Sequence, residues 1–349
     1  MSPTTISWTD ETWPITVGCD QVSPGCKHCY AMRSVHRVNL CQAGAGRPAP
    51  YAGLVELVQL GGRQVPRWTG DVGFFPERLA MPLAWRSPRK VFVASQSDIF
   101  HDKFTNEQIA AIFGVMAATP RHTYQVLTKR PARMRAWFEW AAKRGDDGRA
   151  MFPDDEPSWR IGQMLAWYLA KHGVNGYVGG TAATGYQDFD PRRQPWPLPN
   201  VWLGVSAEDQ LRADQRIPEL LDTPAAVRFI SAEPLLERVV LWAYLRGPDR
   251  DRSLRILERK PEGAPVAPGL DWVILGCESG PGARPCVSEW LRSMLAELAA
   301  AGVPAFLKQA RGVGVTAGAG SHRKGGGVIE LPYLDGVQHA AFPEASCAS

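Results

Sequence analysis

Lys90-Val-Phe-Val-Ala-Ser95, Asn106 to Ala118 and Thr123-Tyr-Gln-Val-Leu-Thr128 follow one another as an apolar run, a helically spaced stretch and a second apolar run. Short continuous apolar runs fit strands that are covered on both faces. Thr105 is placed to cap the helix between them. Strand, helix and strand in this order argue for parallel pairing, since parallel strands need a crossover of that kind. The pattern then repeats. Asn200-Val-Trp-Leu-Gly-Val205 precedes a helix over Asp209 to Leu221, and Val227-Arg-Phe-Ile-Ser231 and Asp271-Trp-Val-Ile-Leu-Gly276 are further strands. Val287 to Ala301 is helical and stops at Gly302. Val303-Pro-Ala-Phe-Leu307 ends the series. This alternation predicts an α/β fold, a partial or full TIM-like (β/α) barrel with a parallel sheet. The alternative is a doubly wound open sheet.

The apolar runs end in polar residues. Ser97 and Asp98, Ser206, Ser231 and Glu233, Glu278, and Lys308 each follow one of them or close it. Both architectures place ligand sites at the carboxyl ends of their strands. Carboxylates there are costly to bury unless they bind something. Glu233 and Glu278 are therefore expected either to pair with Arg or Lys or to hold amino or hydroxyl groups of a ligand. Ser97, Asp98, Ser206 and Ser231 offer further hydrogen bonds, and Lys129 and Lys308 suit a carboxylate or phosphate.

Upstream of the repeat lies Cys19-Asp-Gln-Val-Ser-Pro-Gly-Cys26-Lys-His-Cys29-Tyr30, with three thiols in a C-x6-C-x2-C spacing. A strand over Ile15 to Gly18 is expected to deliver this loop, and a helix over Ala31 to Leu40 to leave it. Metal coordination relieves the repulsion and easy oxidation of clustered thiolates. Structural zinc takes four ligands, so Cys19, Cys26 and Cys29 would need His28 or His36 to complete a zinc site. Three thiolates on a four-iron cube would leave one iron open to a ligand. Three unliganded core cysteines are a further reading, disfavoured because Ser23, Pro24, Gly25, Lys27 and His28 make the segment a loop and not a buried apolar run. Cys277 or Cys286 is a candidate fourth ligand.

The chain has 349 residues, 45% hydrophobic and 21% charged, with a net charge of +4 and seven cysteines. This is the balance of a globular protein. A single domain over residues 1–349 is expected, with a rim insertion at 145–199, a loop-rich segment from Gln42 to Gly73 and a flexible tail at 310–349. No apolar run reaches membrane-spanning length, and the amino-terminal residues do not pattern as a signal peptide. A cytoplasmic setting without membrane partners is expected.

Trp8-Thr-Asp-Glu-Thr-Trp13, the cysteine loop through Tyr30, Tyr51-Ala-Gly-Leu54, Ser97-Asp98-Ile-Phe-His101, Gln125-Val-Leu-Thr-Lys-Arg-Pro131, Gly204-Val-Ser-Ala-Glu-Asp-Gln210, Ser231-Ala-Glu-Pro-Leu235, Glu278-Ser-Gly-Pro-Gly-Ala-Arg-Pro285 and Lys308-Gln309 together resemble a phage- and prophage-associated three-cysteine family of unassigned role. That family in turn resembles divergent radical S-adenosylmethionine (SAM) enzymes. The resemblance implies a [4Fe-4S] cluster on Cys19, Cys26 and Cys29, with SAM as cosubstrate. It implies reductive cleavage of SAM to a 5′-deoxyadenosyl radical that abstracts hydrogen from a substrate. It also implies an electron donor such as flavodoxin or ferredoxin, and it suggests a nucleotide or nucleic acid as substrate. The spacing departs from the usual C-x3-C-x2-C, and the Gly-Gly-Glu usual after the second strand is replaced by Ser95-Gln-Ser97-Asp98. The alternative function is a zinc-binding, non-catalytic phage protein that binds nucleic acid.

Overall fold

In the computed structural model, residues 4–142, 195–245, 268–279, 282–316, 321–324 and 327–343 are described. The expected rim insertion at 145–199 lies almost wholly outside them. The chain divides into two compact units, Glu11–Val201 and Met1–Asp10 with Trp202–Ser349.

The first unit opens with β1 (Glu11–Trp13) and β2 (Thr16–Val17), and α1 (Tyr30–Gly44) follows the cysteine loop. Next come β3 (Val55–Leu60), β4 (Arg63–Trp68) and β5 (Gly73–Phe74). The strand–helix–strand unit is β6 (Lys90–Val93), α2 (Asn106–Ala118) and β7 (Thr123–Thr128), and α3 (Pro131–Ala142) follows. β1 pairs parallel with β6, and β6 with β7. The strand expected over Ile15 to Gly18 is present as Thr16–Val17, and Glu11–Trp13 before it is a separate strand. Pro14 lacks the N–H that would continue the ladder. Glu11–Trp13 joins the parallel sheet, while Thr16–Val17 turns away to pair antiparallel with β5.

α2 has ten buried residues, Ile109 to Ala118. Its start is fixed by a capping box, in which Thr105 Oγ1 accepts from the Gln108 N–H and Gln108 Oε1 accepts from the Thr105 N–H. Pro131 opens α3, where its missing N–H costs nothing. The segment read as loop-rich contains the β3–β4 hairpin. Its turn is Gly61-Gly62, with φ of 55° and 76°. Positive φ at both central residues is the type I′ geometry that matches strand twist.

The second unit contains β8 (Val201–Ser206), α4 (Gln210–Leu221), β9 (Val227–Ala232), β10 (Trp272–Gly276), α5 (Ser288–Ala301) and β11 (Ala305–Gln309). β8, β9, β10 and β11 pair parallel in that order. Every residue of β8 and β10 is buried, as expected of strands covered on both faces. With the three parallel strands of the first unit they make seven, the parallel sheet of a partial TIM-like barrel in an α/β fold.

The described residues after β11 belong to this unit as well. They contain β12 (Val315–Thr316), β13 (Ser321–Lys324), β14 (Gly327–Glu330), β15 (Tyr333–Leu334) and β16 (Val337–Gln338). The Leu307 N–H donates to the His339 carbonyl at 2.8 Å and the Ala341 N–H to the Ala305 carbonyl at 3.1 Å.

Gly204 on β8 and Phe229 on β9 are register partners, and a Cβ at Gly204 would run into the Phe229 ring. Phe229 is fully buried. Gly204→Ala is expected to cost about 1–3 kcal/mol through overpacking. Thermal unfolding checks this, and Phe229→Leu in the same chain should restore part of the loss.

Candidate functional site

The cysteines are set by a tight local turn in the first unit. β2 runs into Gly18, whose φ is 98° and whose Cβ would collide with the backbone of Asp71. Only glycine fits there. The Gly18 N–H donates to the Gln96 carbonyl at 3.1 Å, and Gly18 bridges Ser97 in parallel fashion. The chain beside Cys19 is thus tied to the end of β6. Pro24–Cys26 forms a 3-10 turn, and the Cys29 N–H donates to the Cys26 carbonyl at 3.2 Å. Cys29 caps α1.

All three thiols are free. Burial pushes Cys19 up to about 12, with Asp98 adding to the rise and Arg130 opposing it. Burial also raises Cys29, against the pull of the Ala31 and Met32 N–H groups at the head of α1. Cys19 senses Cys29, and Cys29 senses Cys26. Arg130 Nη1 lies 3.7 Å from Cys19 Sγ, in the position of an N–H···S donor.

Asp98 joins the ends of β6 and β7. Its Oδ1 accepts from the Phe100 N–H at 3.0 Å and from Thr128 Oγ1 at 2.8 Å. Its Oδ2 accepts from the Lys129 N–H at 3.0 Å and Arg130 Nη1 at 3.2 Å. Arg130 also pairs with Asp20. Burial is the main cause that raises the Asp98 carboxyl. Ser97 Oγ is buried with no hydrogen-bond partner among the described residues. Of the residues expected at this site, Ser97 and Asp98 are therefore gathered beside Cys19. Asp98 spends its oxygens on the protein itself, whereas the Ser97 hydroxyl is unspent. Thr128 and Arg130 were not among the expected site residues. Their only trace in the sequence is the position of Thr128-Lys-Arg-Pro131 at a strand end.

A second polar cluster lies in the other unit. Ser206 and Ser231 are buried register partners on β8 and β9. Beyond β8, Glu208 is fully buried and pairs with Arg216 at 2.9 Å, and Arg216 also donates to the Ser206 carbonyl at 2.8 Å. Glu233 Oε1 accepts from Lys308 Nζ at 2.6 Å and Gln309 Nε2 at 3.0 Å. A Cβ at Gly276 would lie 3.1 Å from Glu233 Cγ, so the glycine makes room for that side chain. Glu278 is clasped by Arg284, with Nη2 to Oε1 at 2.5 Å and Nε to Oε2 at 3.0 Å. Both glutamates thus follow the pairing alternative. Cys277 and Cys286 are hydrogen-bonded to each other, which pulls the Cys277 thiol down and pushes Cys286 up.

The donor set at the first cluster suits an iron–sulfur group. It offers three soft thiols, an N–H donor to one of them, and two cationic side chains, Arg130 and Lys129, that lower the cost of thiolates. Among the described residues, no three His, Cys, Asp or Glu side chains are arranged around a single ion. No helix among them is long and apolar enough to cross a membrane. No curated protein and no solved structure matches the chain. A family model does match, over residues 3–343, and the chain belongs to that family, DUF5131, described as a protein of unknown function.

Proposed function

We propose that the chain is a radical SAM-type iron–sulfur enzyme acting on a nucleotide or nucleic-acid substrate in the cytoplasm. The observation that carries this reading is the short turn that leads Cys26 and Cys29 into the head of α1, with Arg130 Nη1 3.7 Å from Cys19 Sγ. The parallel half-barrel and the phage-family resemblance support it. Cys19, Cys26 and Cys29 would hold a [4Fe-4S] group. When bound, that group supplies one-electron reduction of the sulfonium of SAM, with the electron drawn from a flavodoxin- or ferredoxin-like donor.

The protein's own side chains have separate tasks. Arg130 steadies the Cys19 thiolate through its N–H and balances its charge. Asp98 holds Arg130 in place. Ser97 offers its unspent hydroxyl to the polar end of SAM. Ser206, Ser231, Glu233, Glu278 and Lys308 are candidates for the remaining ligand contacts, Glu233 and Glu278 only after exchanging their present partners.

Anaerobic reconstitution with iron and sulfide should give a brown protein with about four irons per chain. It should release methionine and 5′-deoxyadenosine from SAM on reduction. Cys19→Ser, Cys26→Ser and Cys29→Ser should each abolish the colour and the release. A colourless protein with one zinc per chain overturns the reading. That result would favour the rival, a zinc-stabilised nucleic-acid-binding protein without catalysis, which His28 between Cys26 and Cys29 supports.

A further inference from the structure

The chain's positive charge is concentrated in one place. Residues 21–70 contain six basic residues and one acidic residue, Glu56, a net charge of +5. The other 299 residues hold 33 basic against 34 acidic. The whole excess of +4 thus resides in the cysteine loop, α1 and the β3–β4 hairpin, all within the first unit.

The structure puts this charge on the surface. α1 packs on β3 and β4, and buries Ala31, Met32 and Val35 with Tyr51 and Trp68. Arg33 and Arg37 lie on its opposite, exposed face, one turn or about 6 Å apart. Lys27, Arg47 and Arg63 are exposed as well. None of these five is paired with a carboxylate among the described residues. Six arginines elsewhere, Arg89, Arg130, Arg135, Arg216, Arg284 and Arg292, each pair with one. Leaving this group unneutralised costs self-repulsion that a polyanion would relieve.

We propose that the exposed face of α1 and the β3–β4 hairpin is a docking surface for the phosphate backbone of a nucleic acid. Five of its six cations are arginine, whose planar fork grips phosphate with two parallel hydrogen bonds. Leu40 is exposed on α1 and gives apolar ground for a sugar or base. The surface lies on the helix that leaves the cysteine turn, so it would hold the substrate class of the reading above. It rests on that reading only for the chemistry that follows docking.

The test is anisotropy of a labelled duplex and a labelled single strand with the full-length protein, across a salt series. Binding should weaken linearly in log salt. The combined Arg33→Ala, Arg37→Ala and Arg63→Ala variant should flatten that slope by about three, one per lost phosphate contact. Arg135→Ala, whose arginine is paired on α3, should leave it unchanged. No binding at low salt, an unaltered slope in the triple variant, or preference for an acidic peptide or anionic vesicles over the oligonucleotides would overturn the proposal. Iron content read on the same samples keeps the two readings apart. A protein that takes up no iron but binds the oligonucleotides through these arginines loses only the radical reading.

Discussion

Trp272→Ala lowers the folding free energy by about 3–5 kcal/mol, the range for removing a large aromatic side chain from a packed core. Trp272 is fully buried on β10. Its ring meets Trp202 at 5.8 Å, Phe229 at 5.5 Å, Phe306 at 6.3 Å and Phe342 at 5.1 Å between centroids, with Trp8 at 6.3 Å. Truncation removes these contacts and leaves a cavity that five neighbouring rings cannot readily fill. It also removes the hydrogen bond from the indole N–H to the Ala341 carbonyl, 2.8 Å long. Trp272→Phe keeps much of the ring contact and loses that bond, so its cost should be nearer 1–2 kcal/mol, about one hydrogen bond plus modest trimming. Urea unfolding checks the order. An alanine variant within about 0.5 kcal/mol of the parent would show that the aromatic cluster contributes little.

Arg130→Met should cost about 3 kcal/mol, near the lower end for breaking a buried ion pair. The side chains of Arg130 and Asp98 are 9% and 7% exposed, so the surviving carboxylate has little access to water. The Phe100 and Lys129 N–H groups and the Thr128 hydroxyl soften the loss, which is why the lower end applies. Arg130→Lys should not restore stability. One ammonium cannot serve Asp20, Asp98 and Cys19 together as the guanidinium does. Adding Asp98→Asn to Arg130→Met should recover part of the loss, since it removes the charge left behind. Thermal unfolding measures the stability, and iron uptake on reconstitution reports the effect at Cys19. Equal iron uptake in parent and variant would show that Arg130 acts on the fold alone.

The repeating part of the fold was legible because burial on both faces makes a strand's own sequence apolar. Thr123–Thr128 and Asn106–Ala118 lie where the pattern puts them, and Gly302, with φ of 66°, ends α5 as a glycine should. Β-structure outside that pattern was harder to see. Glu11–Trp13 is polar and only three residues long, so no periodicity could reveal it. The β3–β4 hairpin did have a signal in Gly61-Gly62 between two β-rich runs, but the surrounding glycines and prolines masked it. At the candidate sites the residue types were legible and their partners were not. Asp98 and Arg130 lie 32 positions apart, and Glu233 and Lys308 lie 75 apart, so only the folded chain brings them together.

The Glu278–Arg284 clasp has a consequence for the charge at the end of β10. One arginine occupies both oxygens of that carboxylate. The guanidinium cancels the acid where it stands, so Glu278 presents no bare negative charge there.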